Sequence, residues 1–167
     1  VCSSDLEKCI VVRDFKGTIE RIAGSHTDIT EKKLQDIKIR KLAYHDILTG
    51  LPNRAYLNKK LKTALSNCSK NSFSGGIIFI GIDNFSLINE FFGHETGDKV
   101  LIYISKRLKE TFDKNDKVFI AKVSGDEYVI LIKELNDVNL VCDYIKRSLK
   151  VFEKKIIIEH NELYITM

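Results

Sequence analysis

The stretch Ala121–Leu131, AKVSGDEYVIL, decides the fold. A short hydrophobic strand runs into Ser124-Gly125, two adjacent carboxylates follow, and a second strand resumes at once. Ser124-Gly125 gives the chain freedom to reverse, so the run predicts a β-hairpin. Asp126 and Glu127 then stand where strand restarts, on opposite faces of the pleat, so that one points into a given pocket while the other points away. Two carboxylates on a tight hairpin are a place to hold a divalent cation beside a phosphate, although an isolated acidic turn is more often simply solvated.

Working outward, Ile77–Leu101 reads IIFIGIDNFSLINEFFGHETGDKVL. It predicts an apolar strand stopping at Asp83, a short helix ending at Gly93-His94 and a new helix opening at Asp98. Asp46–Arg54, DILTGLPNR, supplies an opening turn. Three separated motifs in this order resemble the GGDEF domain, the diguanylate cyclase family, over Asp46 to Met167. The resemblance implies an α+β fold of the nucleotide-cyclase kind, with a central, largely antiparallel sheet flanked by helices.

The bulk properties agree with such a domain. A chain of 167 residues, 44% hydrophobic and 30% charged, has room for one sizeable core and lacks the composition of a disordered segment. Its longest apolar runs, such as Ile77–Ile80 and Ile156–Ile158, are far too short to span a bilayer, and no signal-peptide pattern opens the chain, so a cytoplasmic location is expected, with no membrane contact within these residues. Cys2, Cys9, Cys68 and Cys142 lack metal-ligand spacing and read as reduced thiols, with Cys142 on the apolar face of a helical pattern. The net charge of +4 is carried largely by lysines such as Lys32, Lys33, Lys38 and Lys41 on one helix. Without an aromatic platform or groove-reading motif beside them, they read as a solvated face rather than a nucleic-acid surface.

Along the chain, Val1–Leu6 resembles a sequencing-adapter end translated in frame and is set aside as foreign. Residues 7–30 give strand-like runs at Cys9–Val12 and Ile19–Ile22, joined through Phe15-Lys16-Gly17 and followed by GSHTDIT. They resemble the C-terminal tail of a PAS sensor domain, a partial hairpin without its ligand pocket. Residues 31–45 form a linker helix, with Thr30 as its N-cap and Leu34, Ile37 and Leu42 as its apolar residues. Such a helix is expected to couple sensor to output and to pair with its twin in a homodimer, together with the GGDEF domain. That domain, residues 46–167, is expected to be cut short, since the family continues through a strand and a helix carrying further basic phosphate contacts.

Three helical stripes form the expected core: Leu57, Leu61, Ala64, Leu65 and Cys68; Val100, Leu101, Ile104, Leu108 and Phe112; and Val138, Val141, Cys142, Ile145 and Leu149. Strands are expected at Gly76–Ile82, Val118–Val123, Tyr128–Ile132, Lys155–Glu159 and Leu163–Met167, the last two as a hairpin around His160-Asn161.

The resemblance also implies a chemistry. Family members join two GTP molecules into cyclic di-GMP and pyrophosphate, the ribose 3′-hydroxyl on one domain attacking the α-phosphate held by its partner. Magnesium or manganese offsets the phosphate charge, which requires oxygen ligands close to the triphosphate. By resemblance, Asp126 is an acidic metal ligand, Glu127 the acid associated with the attacking hydroxyl, and Gly125 part of the nucleotide-binding turn. Asn89 and Asp98 match the positions that read the guanine edge, an amide and a carboxylate suited to its acceptors and donors. Their plainer readings are a helix-end cap and an N-cap.

Other matching positions have changed. Where the family has Asp-x-Asp at the end of its first strand, this chain has Gly81-Ile82-Asp83. The first metal carboxylate is therefore missing, leaving the Ile82 carbonyl and Asp83, two residues along the same strand face, as metal ligands. Ser86 replaces a phosphate-binding lysine, Lys122 an arginine and Ser124 the first glycine of the motif. The product-inhibition motif Arg-x-x-Asp falls on Asn115 and Val118 and is absent. The guanine end is kept while the metal and phosphate end is weakened, so the expected role is a GTP-binding regulatory domain with weak or no cyclase activity. It would relay a PAS signal to a downstream domain, such as a phosphodiesterase of the EAL type. An active diguanylate cyclase is the alternative, and a dimerising module that binds no nucleotide is a third reading.

Overall fold

The computed structural model describes residues 5–71, 74–113, 115–135, 137, 139–153, 155–158 and 161–167. The chain divides into two units, Val1–Ala43 and Tyr44–Met167.

In the first unit, β1 (Asp5–Arg13) and β2 (Ile19–Asp28) form an antiparallel hairpin. Asp14 makes its turn: the Asp14 carboxylate accepts from the Lys16 and Thr18 amides at 2.8 and 2.9 Å, and Gly17 takes a positive φ of 82°. Both strands are longer than expected. β1 begins at Asp5, inside the stretch set aside as foreign, and β2 absorbs Gly24–Asp28. Helix α1 (Thr30–Tyr44) follows with no buried residue, and Leu34, Ile37 and Leu42 are all exposed. Its cap differs from the expected one. Asp28 Oδ1 accepts from the Thr30 amide at 2.8 Å, and the Ile29 carbonyl takes the first helical bond from Lys33, so Thr30 already lies inside the helix.

In the second unit, β3 (Ser74–Gly81), β4 (Val118–Ser124) and β5 (Glu127–Leu135) form an antiparallel sheet in the order β3-β5-β4. Tyr128–Ile132 on the central strand is an unbroken apolar run because both faces are covered. On one face lies α4 (His94–Phe112), whose Val100, Leu101, Ile104, Leu108 and Phe112 are all buried as expected. On the other, α2 (Arg54–Asn71) packs Leu57, Leu61 and Ala64 against Ala121, Val129 and Leu131. Leu65, expected in that stripe, is exposed. Leu108 is fully buried in the larger core, so Leu108→Ala is expected to cost about 3 kcal/mol in urea unfolding, from lost transfer energy plus the cavity it leaves.

Helix α5 (Leu140–Leu149) is rotated from its expected face. Val141 and Tyr144 are half-buried and Ser148 fully buried, whereas Cys142, Ile145 and Leu149 are exposed. A serine can take the inner position because its hydroxyl donates back to the Tyr144 carbonyl at 2.8 Å. Val138 lies outside the described residues. β6 (Ile156–Ile158) and β7 (Asn161–Leu163) form the expected hairpin, displaced by a few residues; Glu159 and His160 lie outside the described residues. Tyr164–Met167, expected as strand, is irregular, with the Thr166 carbonyl accepting from the Asp83 amide at 2.9 Å.

Candidate functional site

The sheet register builds one end of the site. Ser124 pairs with Glu127, so Gly125-Asp126 is a two-residue turn, entered at Gly125 with a positive φ of 34°. Asp126 is thus half-buried in the turn itself rather than on the pleat. Pleat alternation starts only at Glu127, which is exposed, followed by the fully buried Tyr128. On the other side of β5, Gly81 stands in register with Glu127. This brings the end of β3 beside the acidic turn, as the matched motifs require. A Cβ on Gly81 would meet nothing within 4 Å.

After Gly81 the strand ends. Ile82 buries its side chain in the core and keeps only its main-chain carbonyl for a ligand. Asp83 is not on the Gly81 face of the strand; it lies in an exposed turn, its amide held by Thr166. Asn84 follows in the left-handed region at φ 54° and opens α3 (Phe85–Phe92), on which Ser86 is exposed.

The other end of the site joins α3 to α4. Gly93 (φ 83°, ψ 157°) closes the first helix and opens the second, its amide donating to the Asn89 carbonyl at 3.0 Å. Helix α4 therefore starts at His94, and the Gly97 amide already donates to Gly93. Asp98 lies a full turn inside, so it is not the N-cap expected, and Asn89 sits a turn before its own helix end rather than capping it. Where α3 approaches α4 most closely, the contact is made at Gly97. A Cβ there would collide with the Asn89 amide oxygen, with Asn89 Cγ at 3.1 Å and Phe85 Cζ at 3.2 Å. The half-buried Asn89 amide rests on bare glycine backbone, and Asp98, the residue after that glycine, is exposed. Gly97 is the residue that sequence reasoning missed. The available signal was a glycine inside a helical pattern, where it is costly unless something must approach closely.

Lys122 has a different task from a nucleotide contact. It is 8% exposed, and its ammonium lies 3.5 Å from Asp46 Oδ2, in the opening turn 76 residues earlier. That turn is stitched to β4 by the Lys122 amide donating to the Pro52 carbonyl at 2.8 Å, and closed by Thr49, whose amide and hydroxyl both donate to Asp46 Oδ1. Burial pushes the Asp46 carboxyl up, but the Thr49 hydrogen bonds and the Lys122 ammonium outweigh it and hold the pKa below the ordinary value. A lowered carboxylate pKa stabilises the fold above the ordinary carboxylate range, and the benefit is lost as pH falls through the lowered value. Asp46→Ala is expected to cost about 2 kcal/mol at pH 7, shrinking towards about pH 3, as read from urea midpoints at the two pH values.

Beneath the acidic turn, the Tyr128 hydroxyl donates to the Leu101 carbonyl at 3.2 Å and accepts from Ser105 at 3.3 Å. Burial raises its pKa to about 12; the Ser105 bond opposes this, and the charges of Asp46 and Asp126 reinforce it. The phenol stays neutral and locks the start of β5 to α4. Asn115, where the resemblance places the start of an Arg-x-x-Asp motif, serves as a turn residue. It bonds the Lys117 amide at 3.1 Å and the Tyr144 hydroxyl at 3.2 Å.

An acidic turn beside a strand end, followed by an amide on one helix and a carboxylate on the next, is set on an antiparallel α+β scaffold. The family model "Diguanylate cyclase, GGDEF domain" matches residues 43–167, and the chain belongs to this family. It is 36% identical over 107 residues to diguanylate cyclase TpbB of Pseudomonas aeruginosa, covering 63% of this chain and 24% of that protein. It is 32% identical over 132 residues to diguanylate cyclase DgcN of Escherichia coli, covering 77% of this chain and 31% of that one. The chain thus spans less than a third of either relative. The solved GGDEF domain of TpbB superposes with a TM-score of 0.69 at 27% identity, covering 74% of this chain and 71% of that one. The coiled coil and GGDEF domain of DgcB from Caulobacter crescentus, solved with c-di-GMP, shares the fold with a TM-score of 0.73 at 20% identity, covering 83% and 73%.

Diguanylate cyclases work with GTP and a divalent metal, and the donor set here does not fit one. Among the described residues, no three His, Cys, Asp or Glu side chains are grouped so as to hold a metal ion. Gly81 offers no carboxylate beside Asp126, and Asp83 has left the strand. Among the described residues, no helix is long and apolar enough to cross a membrane.

Proposed function

We propose that this chain is part of a cyclic di-GMP signalling protein whose GGDEF domain binds GTP as a regulatory ligand and has weak or no cyclase activity. The observation that carries this reading is the asymmetry of the site. Asn89, packed on Gly97, and Asp98 are kept at the guanine end, whereas Gly81 and Ser86 stand where a metal carboxylate and a phosphate lysine belong. In this reading Asn89 and Asp98 take the guanine edge, an amide for its acceptors and a carboxylate for its donors, and Gly125 lets the backbone approach the phosphates. Residues 7–30 are the end of a PAS sensor and residues 31–45 the linker that carries its signal. The exposed Leu34, Ile37 and Leu42 pair with a second copy, an EAL domain is the natural recipient of the signal, and the protein works in the cytoplasm.

The test is thermal unfolding of the full-length protein with and without GTP. A rise in Tm that is lost in Asn89→Ala and in Asp98→Ala supports the reading; no rise at saturating GTP favours a dimerising module that binds no nucleotide. Retention of Asp126 and Glu127 at the hairpin favours the second reading, an active cyclase, which requires that product formation vanish in Asp126→Ala.

A further inference from the structure

We propose that the cavity between the end of α4 and α5 is a second binding site, for a phosphate dianion, either free or carried on a phosphomonoester. It shares no residue with the acidic turn or the guanine end and does not depend on the reading of that site.

Arg107 and Thr111 on α4, Arg147 on α5, and Lys150 and Glu153 just beyond it line one cavity of about 380 Å³. That volume lies within the range of small-molecule sites. Two guanidinium groups and an ammonium are set there against a single carboxylate. Among the described residues, none of the three cations stands within ion-pair distance of an acidic group, Glu153 included.

The fold holds both arginines in place. The Arg147 guanidinium lies 4.8 Å from the centre of the Phe112 ring, and its Nη2 donates to the Thr111 carbonyl at 2.6 Å. The last four carbonyls of a helix lack partners within it, so this bond closes the end of α4 while it fixes the guanidinium. One ring face and one donor are used in this way, and a five-donor fork has others to offer. Arg107 is half-buried, with its guanidinium 5.7 Å from the Tyr103 ring. Its Nη1 is buried and has no hydrogen-bond partner among the described residues. A charge partly withdrawn from water is screened less than one on the open surface, so it attracts an anion more strongly.

Arginine forks match both carboxylate and phosphate. The charge excess decides between them, because a phosphomonoester carries about 1.5 to 2 negative charges at pH 7 and a carboxylate carries one. The adjoining cavity around Asn115 lacks this excess. Glu110 and Asp113 line it beside Arg147, so its carboxylates outnumber its cation. An anion is therefore drawn to the Lys150 side of Arg147.

The experiment is isothermal titration of the full-length protein, at low ionic strength, with inorganic phosphate, with AMP and with adenosine. Saturable binding of AMP or phosphate, with a Kd on the order of 1 mM, and none of adenosine, is the expected result. Tighter binding of AMP supports a phosphomonoester ligand, and equal binding supports recognition of the phosphate alone. Three exposed positions supply the variants. Arg147→Lys keeps the charge and loses the fork, Lys150→Ala removes a charge, and each is expected to weaken binding about three- to tenfold. Glu153→Gln removes the opposing charge and is expected to strengthen it about threefold. No saturable binding of either phosphate compound, adenosine binding as tightly as AMP, or an affinity unchanged in all three variants overturns the proposal. Loss of binding in Asn89→Ala also overturns it, since that places the ligand at the guanine end.

Discussion

Gly81→Asp combined with Ser86→Lys, in the full-length protein with GTP and magnesium, is expected to raise cyclic di-GMP formation on the order of 100-fold. The first substitution places a carboxylate on the β3 residue in register with Glu127, beside Asp126. A Cβ at 81 has nothing within 4 Å, so the gain is not offset by a clash. The second adds an ammonium on the exposed first turn of α3, where the segment has no cation of its own. Neither change touches the buried core. Chromatography of the nucleotides after incubation reads the outcome, and an unchanged rate in a folded variant would mean that the impairment lies elsewhere.

The second large effect is a loss. Gly97→Ala is expected to weaken guanine-nucleotide binding by about 10- to 100-fold, the worth of one well-placed polar contact. The added methyl occupies the space of the Asn89 amide oxygen, so that amide must move from its present position. Helix propensity moves the other way, since alanine is favoured over glycine in a helix interior by about 1 kcal/mol. Binding and stability should therefore separate: affinity falls by titration calorimetry while the urea midpoint does not fall in proportion. In an Asn89→Ala background the same Gly97→Ala change should have little further effect on affinity, because the group it displaces is gone.

Much of the scaffold was legible in the sequence because its signals are local. The α4 stripe from Val100 to Phe112 has helical spacing, and the β4–turn–β5 run has strands flanking a glycine. What was not legible depends on partners distant in the chain or on where a helix starts. Lys122 faces Asp46 from 76 positions further along the chain, so the lysine in an arginine position reads as a departure from the family until the ion pair explains it. Asp98 looks like a cap because it follows a glycine, yet Gly93 had already opened the helix one turn earlier. Ser148 takes the buried face of α5 from larger apolar neighbours because its hydroxyl finds a partner within the helix. At the site, the hairpin carboxylates were visible as residues, but the role of Gly97 depends on Asn89 approaching from another helix.

The most direct measurement is incubation of the full-length protein with GTP and magnesium or manganese, followed by chromatography of free and protein-bound nucleotides. Bound GTP recovered intact, without cyclic di-GMP, is the predicted result. Cyclic di-GMP that accumulates in the native protein and disappears in Asp126→Ala would contradict it and make this domain a working cyclase despite Gly81.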